Sequence, residues 1–347
     1  MMRSPTARGA AGWWRAAGLI GLCAAVVAGA PASYGQAAGR LTQALAAAEA
    51  QHGKTSPALL PLIERLAQAD WRDGALDAAA VLRRRALAIA IAAFGCDSPR
   101  AAAAMTALAR LDIDRRRYLD AEPLLIIAGQ VAGAPEMASI AAGRARIALA
   151  RGRTAHAETW ARKAVALAGR QPVHPGAEPW RVLGAVLTAA EHFAAAEPIL
   201  REALAQDRKQ HDADAVATAR SLSQLGNLYL RWGRAREALP QLEEAAAIDQ
   251  QRLGPTHPFL ADDLYDLGQA YEALQRRGEA RLAFRAAIDI LRRGGGRDTP
   301  RFAYCEIELS RLERQRGDTA AAQAASRDAR RILDQAADEE HRREGKA

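Results

Sequence analysis

Leu264–Leu274 reads LYDLGQAYEAL, and the glycine at its centre, Gly268, is the position from which the fold can be read. Aligned on it, the small residues Ala67, Ala109, Ala145, Gly184, Gly226 and Ser310 share one register, at intervals of 42, 36, 39, 42, 42 and 42. A period near 40 means an array of repeated units. Twelve residues beyond each register position lie Ala79, Ala121, Ala157, Ala196, Ala238, Ala280 and Ala322. Seven further on lie Ala86, Ala128, Ala164, Ala203, Ala245, Ala287 and Ala329. All fourteen are alanine. About a quarter of the chain is alanine, so single matches are cheap, but an unbroken set of fourteen is not.

Close approach explains the pattern. Two helices of a hairpin come within about 8–10 Å only where facing side chains are small. Larger residues then fill the gaps: Leu66, Leu108, Leu183, Leu225, Leu267 and Leu309 precede the small residue, and Leu125, Leu200, Leu242 and Phe284 follow the first alanine of the second helix by four. Arg144 and Ala161 in the third unit and Arg83 in the first depart from these slots, which predicts looser or shifted packing there. Between units recur the joints HGKTSP (52–57), FGCDSP (94–99), RQPVHP (170–175), LGPTHP (253–258) and GRDTP (296–300). In LGPTHP, Gly254 suits the left-handed residue that ends a helix, Pro255 stops its continuation, and Pro258 suits the first turn of the next. Thr256 and His257 are then capping-region residues, as are Asp97-Ser98 and Asp298-Thr299.

Leu225, Gly226, Tyr229, Gly233, Ala238, Leu242 and Ala245, and again Leu267, Gly268, Tyr271, Ala280, Phe284 and Ala287, resemble tetratricopeptide repeats. The 42-residue spacing with LGPTHP-type joints is similar to the longer kinesin-light-chain-type variant. The resemblance implies an all-α fold, a right-handed superhelical solenoid of about seven antiparallel helix-turn-helix repeats in which neighbours supply each other's core. The expected repeats are 56–97, 98–134, 135–173, 174–213, 214–256, 257–298 and 299–336. A capping helix is expected within 38–55, around RLTQALAAAEAQ (40–51), and a charged, frayed tail over 337–347.

The first forty residues differ in kind. Arg3, Arg8 and Arg15 are the only charges before Arg40, and Ala16 to Ala32 is an apolar run of small residues. That is a secretory signal layout with cleavage expected near residue 37, after Ala30-Pro31-Ala32 or Gly35-Gln36-Ala37. The mature protein is expected to be exported, periplasmic or secreted; the alternative is an anchor through the uncleaved segment, the chain's one expected membrane contact. Lipidation at Cys23 is disfavoured by Leu22 before it. Removing residues 1–37 takes away three arginines and no acid, so the net charge falls from +8 to +5. Arginine and glutamate alternate along the helices, and no lysine-rich block marks a nucleic-acid face, so no nucleic acid is expected as partner. Cys96 and Cys305 lie too far apart along an extended fold for a disulfide, and both are expected to serve packing.

No catalytic template appears. The histidines at 52, 156, 174, 192, 211, 257 and 341 show no ligand spacing, so no metal or cofactor is expected, and His174 and His257 are expected as exposed loop residues. Gly53-Lys54-Thr55 lacks the earlier glycine of a phosphate loop, because Ala48 stands there; Gly294-Gly295-Gly296 sits at a joint. The neighbours Asp262-Asp263 and Glu243-Glu244 point about 100° apart on a helix and are expected on solvated faces.

In the family the first helix of each pair lines the concave surface. Carried over slot by slot, the resemblance places binding positions at Arg181 in the fourth unit; Arg220, Gln224, Asn227 and Arg231 in the fifth; Tyr265, Asp266, Gln269 and Glu272 in the sixth; and Tyr304, Glu308, Arg311 and Arg314 in the seventh. Asn227 matches the asparagine of carboxylate-clamping members, but the accompanying lysines are missing. The expected function is an exported, non-catalytic scaffold holding a peptide or protein subunit in the groove of repeats four to seven. Alternatives are a self-associating structural protein of the cell envelope, suggested by sparse polar slots in the first three units, and an enzyme with an unrecognised site.

Overall fold

The computed structural model describes residues 35–131, 133–170, 176–209, 215–294, 299–315, 317 and 319–344. Residues 1–34 of the expected signal segment, His174, His211, Gly295, Gly296 and Asp298 lie outside them. Among the described residues there are fifteen α-helices, a 3₁₀ turn at Pro57–Leu59, and no strand. Among the described residues no helix is long and apolar enough to cross a membrane.

Two compact units divide the chain, Ala32–Trp232 and Gly233–Ala347. The first contains α1 (Gly35–His52), α2 (Leu60–Arg72), α3 (Leu76–Phe94), α4 (Pro99–Asp114), α5 (Tyr118–Val131), α6 (Ala134–Ala150), α7 (Thr154–Ala168), α8 (Glu178–Ala189), α9 (Phe193–Lys209) and α10 (Ala215–Arg231). The second contains α11 (Ala235–Leu253), α12 (Pro258–Ala273), α13 (Arg277–Arg293), α14 (Pro300–Gln315) and α15 (Thr319–Glu344). Within each unit consecutive helices pack as hairpins, and in the first unit α4 also packs on α6, α6 on α8 and α8 on α10. First helices of successive hairpins therefore stack into a continuous layer. Helix α1 packs through Leu41, Leu45 and Ala48 on Leu59, Ile63 and Leu66, as a cap that hides their apolar face from water.

The register residues sit where close approach requires them. Every one of the fourteen alanines is at most 3% exposed, and Ala67, Ala109, Ala145 and Ser310 are buried with them. A Cβ added to Gly184 would lie 2.3 Å from Leu200, and one added to Gly268 would lie 2.5 Å from the Phe284 ring. Leu200 and Phe284 thus lie directly on the small residue of the partner helix. The third hairpin, expected to be loose, is tight: Ala157, Ala161 and Ala164 are fully buried, and Arg144 lies flat over the Trp160 ring at 4.0 Å. Within the charged tail, expected to fray, helix α15 runs on to Glu344; its alanines, glutamates and arginines are good helix formers.

Turns recur with the same period. A residue in the left-handed region closes each first helix at Gly74, Arg116, Gly152, Glu191, Gly233, Gln275 and Gly317, with φ between 59 and 90°. The backbone N–H one residue further on reaches back five residues, as in Arg117 to Asp112 (2.7 Å), His192 to Leu187 (2.9 Å) and Arg276 to Tyr271 (2.8 Å). The joints between units share a second geometry. Gly95 and Gly254 have φ, ψ of 86, 156° and 92, 165°, so Gly254 is not the left-handed helix terminator expected but an extended mirror conformation open to glycine alone. Three residues later a side chain caps the next helix: Ser56 accepts from Ala58 N–H (3.3 Å), Ser98 from Ala101 N–H (3.1 Å) and His257 Nδ1 from Phe259 N–H (3.1 Å). His257 is fully buried, not an exposed loop residue, because its ring must lie against Phe259 to cap the helix.

The close-approach argument makes opposite predictions for two helical glycines of the second unit. Replacing Gly268 by alanine gains about 1 kcal/mol of helix propensity. It also forces the Phe284 ring aside, at a cost of 1–3 kcal/mol as overpacking typically does, so a net loss of stability is expected. Replacing Gly278, which has nothing within 4 Å of its added Cβ, is expected to be neutral or stabilising by up to about 1 kcal/mol. Urea midpoints of the two variants check this.

Candidate functional site

A cluster of charged side chains lies in the first unit and involves hairpins whose polar slots looked sparse in the sequence. Gln68 and Trp71 of α2, Arg110 and Asp114 of α4, Arg146 of α6, Arg181 of α8 and Arg220 of α10 line one cavity of about 210 Å³. Five successive first helices thus face a single space. Arg83 joins them from α3. It holds the slot that carries Leu125 and Leu200 in later hairpins, and its departure from the pattern delivers a guanidinium to the cavity where a leucine would have sealed it. Ala67, Ala107, Leu111, Val216 and Ala217 supply the apolar wall.

Carboxylates and guanidiniums alternate around this space. Asp114 lies between Arg146 (2.8 Å) and Arg220 (3.6 Å), and Glu178, at the start of α8, lies between Arg110 (3.1 Å) and Arg146 (3.9 Å). Arg181 pairs with Asp207 of α9 at 2.6 Å, and the Ser221 hydroxyl donates to the same carboxylate oxygen at 2.5 Å. The Arg220 guanidinium lies over the Trp71 ring at 5.6 Å, so α2 and α10 meet across the cavity. Burial opposes ionisation of Asp114, but Arg220 and Arg146 outweigh it and hold the carboxyl below its usual range. Burial likewise opposes ionisation of Glu178, and Arg110 and Arg146 win there too. Burial lowers the Arg220 pKa, with Arg146 and Arg181 adding to it against Asp114 and Glu178. Arginine remains charged under these conditions.

Of the positions taken from the sequence, Arg181 and Arg220 meet in this cavity. Gln224 and Asn227 are half-buried on α10, and Arg231 at its end is exposed. In the second unit the Tyr265 ring packs on Phe284 (5.7 Å) and under the Arg301 guanidinium (4.5 Å), and its hydroxyl accepts from Gln269 (3.0 Å). Burial, opposed by Arg301, pushes the Tyr265 hydroxyl up to about 12. Arg311 is paired with Glu308 (2.8 Å) and with Glu272, and Tyr304 is 45% exposed. The second-unit positions are therefore linked within their own stack, by pairs between first helices.

Other expectations need correction. Cys305 is buried, as a packing residue should be, but Cys96 is exposed, because its joint turns it away from the helices. Three of the four acids expected on solvated faces are not there: Asp262 pairs with Arg301 at 2.5 Å, Glu243 accepts from the Tyr271 hydroxyl at 3.1 Å, and Asp263 is 3% exposed, whereas Glu244 is exposed as expected. Among the described residues no group of three or more histidines, cysteines or carboxylates is placed to hold a metal ion. The arginine cluster was missed although its register was visible. Gln68, Arg110 and Arg146 each follow the small residue, as Asn227, Gln269 and Arg311 do. Gln68, Arg110 and Arg146 are thus polar slots of the early repeats, otherwise sparse, and they line the cavity.

The ion pairs carry a pH signature. Because Asp114 ionises more readily folded than unfolded, its contribution to stability is full above the ordinary carboxylate range and is lost as pH falls below it. Asp114→Asn is expected to lower the unfolding temperature markedly at pH 7, where Arg146 and Arg220 lose their counter-charge. The difference from the unaltered protein should shrink as pH is taken from 7 to 3, as thermal scans across that range would show.

Comparison with known proteins places part of this chain. Residues 177–251 and 218–293 match the tetratricopeptide-repeat family. No curated protein matches the sequence. Among solved structures, a Rap protein complexed with competence and sporulation factor superposes with a TM-score of 0.52 at 12% identity, over 88% of this chain and 98% of that one. The apo form of RapI superposes at 0.50 and 13% identity, over 80% of this chain and 77% of that one. A putative kinesin light chain from Podosopora anserina, with nearly identical repeats, aligns at 0.46 and 21% identity, over 58% of this chain and 97% of that one. Residues 177–293 thus match tetratricopeptide repeats, within an all-helical repeat fold.

Proposed function

We propose that this protein is a non-catalytic interaction scaffold that holds a segment of a protein partner against the first helices of its repeats. One observation carries the reading: first helices present polar side chains in matching slots, from Arg110 and Arg146 through Asn227 to Gln269 and Arg311, while their other faces are consumed by the core. Asparagine and glutamine at such slots can both donate to and accept from an extended backbone, and arginine favours carboxylates. A structure of the same fold, the Rap protein, is complexed with a factor, which suits the reading. The proposed contact positions are Arg181, Arg220, Gln224, Asn227, Arg231, Tyr265, Gln269, Tyr304 and Arg311. Export completes the proposal, and rests on the charge and small-residue layout of residues 1–37.

Two measurements test it. Alanine at Asn227, Tyr265 and Arg311 together is expected to reduce capture of crosslinked partners at least tenfold with helix content unchanged, as loss of anchor residues typically does; undiminished capture would remove the first-helix assignment. Sequencing the amino terminus of the mature protein is expected to find a start near residue 38, and an intact Met1 would rule export out.

A further inference from the structure

We propose that the last hairpin, α14–α15, carries a proton switch: ionised Glu306 loosens its docking on α13, and protonation of that side chain tightens it. The register shows why this residue is out of place. Four residues before each small residue stand Ile63, Met105, Ala141, Trp180, Leu222 and Leu264, all apolar, and in the last hairpin the slot holds Glu306. Leu222 and Leu264 are fully buried there, and the Glu306 side chain is only 12% exposed. A carboxylate in such a slot has lost most of its water, which costs free energy unless a cation or a donor replaces it.

The replacement is incomplete. Arg292 of α13 lies 3.8 Å away, beyond hydrogen-bond reach, and its other terminal nitrogen lies 3.5 Å from Asp289 on the same helix. Asp289 of α13 and Asp328 of α15 bring like charge towards Glu306 from the two helices packed on α14. Glu306 thus meets two like charges and one guanidinium. On the α12 side, Arg301, Asp262 and Asp266 face the adjoining Cys305. Two turns further along the seam, Glu313 meets Arg285 at 2.7 Å and Arg281 at 3.9 Å, so the hairpin keeps a direct ion pair with α13. Burial pushes the Glu306 carboxyl above its usual range; Arg292 opposes this, and Asp328 and Asp289 reinforce it. The docked hairpin therefore takes up the proton before an undocked one does. Docking gains strength as pH falls through the folded value, and the gain is complete below the ordinary glutamate range. This is the opposite sense to Asp114, whose contribution is lost on acidification. The device needs no partner, so it stands whether or not Tyr304 and Arg311 contact one.

The test is hydrogen exchange of the whole chain, corrected for the intrinsic pH dependence of amide exchange and compared between pH 7 and pH 4.5. Its readout is the protection of α14 and α15 amides relative to those of α12. That ratio is expected to rise by about threefold or more on acidification, because exchange from a locally opened segment follows its open population. Glu306→Gln keeps the shape and removes the charge, and Glu306→Leu restores the residue of repeats five and six. Each is expected to abolish the rise and to show at pH 7 the protection that the unaltered chain reaches at pH 4.5. Circular dichroism confirms that each folds, and the leucine variant carries the test if the amide disturbs the slot. A ratio that does not rise in the unaltered chain, or a rise that persists in either folded variant, would overturn the proposal.

Discussion

The contact on which everything else depends is the one between small residues where two helices of a hairpin cross. Alanine twelve and nineteen residues beyond each register position lets the second helix settle against the first, and Leu200 on Gly184 or Phe284 on Gly268 shows how little room is left. A helix pair joined this tightly still leaves one apolar face uncovered, so the next pair must cover it. Within the first unit, stacking of first helices on first helices follows, and with it the presentation of Arg110, Arg146, Arg181 and Arg220 to one cavity. The turn within each hairpin is held to one geometry by the same requirement. Arg116, Glu191 and Gln275 occupy left-handed backbone that costs a side-chain-bearing residue about 1–2 kcal/mol. The period, and not the residue, decides that conformation.

Stacking gives chemistry to residues that have none alone. Arg110, Arg146, Arg181 and Arg220 are far apart in the sequence, each on a different helix. Brought round one cavity they would repel, and Asp114, Glu178 and Asp207 are placed between them to prevent that. Buried ion pairs of this kind are weak evidence for stability, since desolvation offsets much of the attraction. Their effect is to fix the direction of each guanidinium. In the second unit the same register carries a different solution, Arg311 paired with Glu272 and Glu308 and Tyr265 held between Phe284 and Arg301. Two stretches with a common core thus offer different surfaces, as repeat proteins can because the core positions and the slots do not overlap.

The core was legible because it is periodic: Gly268, the fourteen alanines and the leucine slots could be placed from spacing alone. What failed were residues whose environment is set by distant chain. His257 looked like a loop histidine between prolines, and only the packing of Phe259 shows it as a buried cap. Asp262 and Glu243 looked solvated because their partners, Arg301 and Tyr271, are 39 and 28 residues away. Arg83 and Arg144 were read as flaws in the core pattern, whereas one opens into the cavity and the other lies over Trp160. The cavity itself needed the meeting of Trp71 and Arg220 across α2 and α10, a closure that no local pattern encodes.

A crystal structure of the chain shows directly whether that closure forms. The account predicts the Arg220 guanidinium over the Trp71 ring at about 5.6 Å, with Asp114 held between Arg146 and Arg220. An open stack, with α2 and α10 apart and the five arginines pointing separately into solvent, would contradict it.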